Sequence, residues 1–169
     1  MAQQQVTPAE AAQKIMAGEQ PAAVLGVTQE QIKVMLALGY NQYQQGKLQE
    51  AATLFRGVSA LDGTSYAGFA GLGAVALAQK PPDLGTAYTN LAKAADLRPD
   101  DGSIQANLGE VLLRQGRIDE AKSHLEKAFK LDPGQKDPGV NRVRALVAGL
   151  DIVIHEAEKR KQAQVAKAS

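Results

Sequence analysis

Small residues recur along this chain at nearly constant intervals, and that recurrence constrains the fold more than any other feature. Gly39, Gly73 and Gly109 are separated by 34 and 36 residues, and Ala51, Ala87 and Ala121 by 36 and 34. Both series sum to 70, so the sequence holds three copies of one unit, with two extra residues inside the second. A unit of this length accommodates two helices and a turn. One such unit cannot bury its apolar face alone, so the copies must stack.

Turn and cap residues divide each copy into a helix A and a helix B. In the first copy helix A is predicted over 29–45 and helix B over 48–61, with Gly46-Lys47 between them and Asp62-Gly63 after. In the second the helices fall over 65–79 and 84–97. The Lys80-Pro81-Pro82-Asp83 turn takes the two-residue insertion, because consecutive prolines cannot sit inside a helix. The third copy spans 102–115 and 118–131, turning at Gly116 and closing at Asp132-Pro133.

Helices are also expected outside the repeats. Thr7, Pro8 and Glu10 form a capping-box start for an N-terminal helix that ends near Gly18, before Pro21, and Thr28 caps the helix that follows. Residues 134–139 read as a linker. A terminal helix is predicted from about Val140 to the early 160s, with Val143, Leu146, Val147, Leu150, Ile154 and Ala157 as its apolar stripe. Such a helix caps the exposed face of a last repeat. The domain division is therefore 1–28, 29–135 and 136–169.

Within each copy the small residues mark where the two helices cross, and bulky ones fill the next layer. These are Leu38, Phe55 and Leu61; Leu72, Leu91 and Leu97; Leu108, Leu125 and Leu131. All are expected to be core.

Composition removes several function classes. A formal net charge of +1 gives no basic face for nucleic acid, and the absence of cysteine excludes disulfides and thiolate metal sites. The N-terminus does not read as a signal peptide, and no apolar stretch approaches the roughly 18 residues of a membrane span. A cytoplasmic protein without membrane insertion is expected. His124 and His155 are the two histidines, with no metal-ligand spacing around either, and they are assigned surface or boundary positions. No catalytic constellation emerges, so no enzyme, cofactor or metal is expected.

A period of about 34 is that of the tetratricopeptide repeat. The fold class expected is all-α: three tetratricopeptide repeats in a right-handed superhelix, with an N-terminal helix and a C-terminal capping helix. In such a stack helix A lines the concave face, and the inward positions can be counted from the glycines. They are Lys33, Leu36, Tyr40, Tyr43 and Gln44; Ala67, Ala70, Ala74, Leu77 and Ala78; and Ser103, Ala106, Glu110, Leu113 and Arg114. Gripping a C-terminal carboxylate would need basic and amide side chains, whereas the corresponding places hold Leu36, Tyr40, Gly71 and Ala106. The strip instead suits an extended peptide with spaced apolar side chains. The expected peptide groove is Lys33, Leu36, Tyr40, Tyr43, Ala67, Ala70, Ala74, Leu77, Ala106 and Leu113. Gly68 and Gly71 are expected to leave their helix locally soft and its groove open.

The first repeat, Leu38-Gly39-Tyr40-Asn41-Gln42-Tyr43-Gln44-Gln45-Gly46-Lys47 followed by Ala51, Phe55 and Leu61-Asp62, resembles the class II chaperones of bacterial type III secretion. Gly71-Leu72-Gly73-Ala74 and the layout of helices are similar to that family over roughly residues 22–155. The resemblance implies a cytoplasmic, non-enzymatic chaperone. It would hold hydrophobic translocator proteins through an extended segment in the concave groove, keep them soluble and secretion-competent, and form homodimers through N-terminal helices. The groove role then falls first on Tyr40 and Tyr43. A general tetratricopeptide adaptor or scaffold is the other reading the residues leave open.

Overall fold

The computed structural model describes residues 6–151 and residue 159. Helices α1 (Pro8–Met16), α2 (Pro21–Val24), α3 (Gln29–Gln44), α4 (Leu48–Leu61), α5 (Tyr66–Ala78), α6 (Leu84–Leu97), α7 (Gly102–Arg114) and α8 (Ile118–Leu131) follow one another. A further helix, α9, starts at residue 138 and is described through 151. No strand occurs among the described residues. Helices pair as α3 with α4, α5 with α6 and α7 with α8. The chain divides into two compact units, one up to Pro99 and one from Asp100 onward.

Local chemistry accounts for the boundaries. Thr7 and Glu10 form the reciprocal capping box at α1, with Thr7 N–H donating to Glu10 Oε2 at 2.9 Å, and Thr28 with Gln31 repeats the device at α3. Gly46 and Gly116 take φ of 75° and 77° in the two short turns, a left-handed conformation that glycine adopts without strain. The middle turn is the longer one. There the Lys80–Pro81 peptide is cis, and Asp83 Oδ1 accepts the Thr86 N–H at 3.0 Å to cap α6. That hydrogen bonding holds the Asp83 carboxyl below its ordinary range.

Two boundaries differ from the sequence reading. The one-turn α2 was not anticipated. Pro21 suits its first position, and Ala22 packs in one cluster with Ile32 and Val58. The linker expected over 134–139 gives way to helix at Pro138, because Asp137 accepts the N–H groups of Gly139 (2.8 Å) and Val140 (3.1 Å). The end of α9 expected in the early 160s lies outside the described residues, as do His155, Ile154 and Ala157.

In the first unit the core is built around Phe55, which is fully buried with Ala51, Ala52 and Val75. α5 is apolar all round, and its interior glycines are contact points. A Cβ at Gly71 would stand 2.5 Å from the Phe55 ring, one at Gly68 2.6 Å from Ser59 Oγ, and one at Gly73 2.5 Å from Leu91. Each glycine costs about 1 kcal/mol relative to alanine in a helix interior. The approach of α4 and α6 to α5 offsets that cost. Close packing therefore replaces softness as the physical account of Gly68 and Gly71. Leu38 and Leu131 also depart from the expected core, at 46% and 40% exposed.

Two glycine substitutions should move stability in opposite directions. Gly71→Ala is expected to destabilise by about 1–3 kcal/mol through overpacking against Phe55. Gly149→Ala, with no atom within 4 Å of its Cβ, is expected to stabilise α9 by up to about 1 kcal/mol. Urea unfolding of the two variants measures both.

Candidate peptide-binding groove

The ten positions expected to form a groove divide between the two units. In the first, α3 and α5 pack side by side and present Leu36, Tyr43, Ala67, Ala70, Ala74 and Leu77 half-buried, each with apolar surface left accessible. Tyr40 is 42% exposed and stands edge-on to Phe55, ring centroids 5.0 Å apart and planes at 66°. Tyr43 and Leu36 rest on the cluster around Phe55. Lys33 lies at the exposed end of the strip, its Nζ 3.5 Å from Glu30 Oε2. The α3–α5 strip is thus an apolar surface with tyrosines at one end.

The second unit is different. Ala106 has no exposed surface: it is packed with Leu125, Ala128, Val140 and Val143 beneath α9. It is core here, which removes it from the groove predicted for it. α9 follows the inward strip of α7 residue by residue. Ser103 Oγ donates to Asp137 at 2.6 Å, Val140 and Val143 cover Ala106, and Arg142 pairs with Glu110 and donates to Asn107 Oδ1 at 2.8 Å. Leu113 is half-buried and packs against the same cluster as Val147.

Glu110 is the element sequence reasoning underrated. Its side chain is 2% exposed, yet it carries a carboxylate held by Arg114 (2.8 and 3.0 Å) and by Arg142. The signal was present: a lone acid on an otherwise small and apolar strip, with arginine at i+4. What the spacing could not reveal was Arg142, 32 residues away. Beside this network Gln105 is also buried, and its Oε1 lies 2.7 Å from His124 Nδ1, which gives the half-buried His124 a boundary role. Burial above all, reinforced by Lys127 and Arg117 against the opposing pull of Glu120, holds the His124 imidazole below its ordinary value. Among the described residues no group of acids and histidines could hold a metal ion, and no helix is long and apolar enough to cross a membrane.

Two stability tests follow from this geometry. Arg142→Ala leaves a buried carboxylate short of a partner and is expected to cost about 1–3 kcal/mol. The double variant Glu110→Met with Arg142→Met should cost less than the single one, because it removes the charge along with its partner. Chemical denaturation of the set decides this. The folded His124 prefers the neutral form, so the unfolded chain binds more protons once the pH falls below about 6.5. Stability should accordingly decline from pH 7 to pH 5, and His124→Gln should flatten that decline in thermal melts.

Comparison with known proteins agrees with this architecture. A family model described as tetratricopeptide repeat matches residues 76–148. The low calcium response locus protein H of Yersinia pestis is 30% identical over 105 residues, which cover 62% of this chain and 61% of that protein. The chain thus aligns with about three fifths of the length of that curated relative. The type III secretion translocator chaperone SycD of Yersinia enterocolitica superposes with a TM-score of 0.62 at 25% identity, covering 76% of this chain and 96% of SycD. PcrH, solved in complex with the chaperone binding region of PopB, gives a TM-score of 0.61 at 26% identity, covering 71% of this chain and 97% of PcrH. The described residues are all-α, residues 76–148 match the tetratricopeptide-repeat model, and the structural neighbours include translocator chaperones of type III secretion.

Proposed function

We propose that this chain is a cytoplasmic, non-enzymatic chaperone of type III secretion. It binds hydrophobic translocator proteins through an extended segment and keeps them soluble and secretion-competent. The observation that carries the reading is the accessible apolar strip on α3 and α5, in a fold whose solved neighbours include PcrH holding the chaperone binding region of PopB. The segment lies along Leu36, Tyr40 and Tyr43 of α3 and Ala67, Ala70, Ala74 and Leu77 of α5, with Lys33 at the edge. Alanines leave room between the two helices for larger apolar side chains of the client, and the tyrosine hydroxyls bond its backbone.

The same reading keeps residues 1–28 as an N-terminal helical region, 29–135 as the three repeats and 136–169 as the capping helix and tail. The N-terminal helices are the seat of homodimerisation. Met16 at the end of α1 is 88% exposed, an apolar side chain that a second copy would cover.

Co-expression with a translocator that is insoluble alone tests the proposal. The wild-type chain should hold the client in the soluble fraction. Tyr40→Ala with Tyr43→Ala, or Ala74→Glu alone, should release it into the pellet while circular dichroism still shows a helical, cooperatively melting protein. Undiminished client solubility in both variants would contradict the groove assignment.

A further inference from the structure

We draw no further inference here: the strongest candidate, the apolar cavity of about 600 Å³ between α8 and α9 lined by Leu113, Ile118, Leu125, Phe129, Val147 and Leu150, carries no proposal because nothing in the structure shows what covers it.

Discussion

Phe55 lies between two glycines on two different helices, and the first unit is organised by that contact. Its ring is fully buried, and a methyl group added at Gly39 of α3 or Gly71 of α5 would come within 2.8 or 2.5 Å of it. A large flat side chain on α4 thus fits only if both neighbouring helices give up their own side chains. The spacing of α3 and α5 follows from this, and with it the placement of Tyr40 against the ring edge and of Leu36 and Tyr43 on the surrounding cluster. Gly73 with Leu91 and Gly109 with Leu125 repeat the contact within their own helix pairs.

α9 meets the same packing problem with the sizes redistributed. Where α5 presents glycine to Val58 and Phe55, α9 presents valine to Ala128 and Leu125. Smaller residues on α8 make room for the larger ones on α9, as close packing requires. Polar groups then fix the register: Ser103 to Asp137, and Glu110 to Arg142. A buried carboxylate is a weak source of net stability, but it disfavours any placement of α9 that would leave it unpaired. The inward strip of the third repeat is consequently occupied from within the chain, and the open apolar strip is the one on α3 and α5.

Much of this was legible in the sequence, because helix pairing in a repeat depends on the spacing of small residues and on turn chemistry. Glycines at 39, 73 and 109, the Gly46 and Gly116 turns and the paired prolines placed the helices of the repeats to within a residue or two. Burial at the edges was harder to read. Leu38 has the same register as the buried Leu108, yet it is 46% exposed. Ala106 has the same register as Ala70, yet it is sealed because α9 lies on it. Periodicity reports what each unit shares with its neighbours and is silent on which neighbour is missing. The role of Gly68 and Gly71 was misread for a related reason: a glycine's cost is local, while the side chain that justifies it sits on another helix.

The account's central claim is that a client segment lies on the α3–α5 strip while the α7 strip stays closed by α9. A crystal structure of the chain bound to the extended segment of its translocator tests this directly. The account predicts apolar client side chains against Tyr40, Tyr43, Ala70 and Ala74, with Ala106 still beneath Val140 and Val143 and Arg142 still on Glu110. A segment seated on Ala106 and Glu110, with α9 displaced and the α3–α5 strip empty, would contradict it.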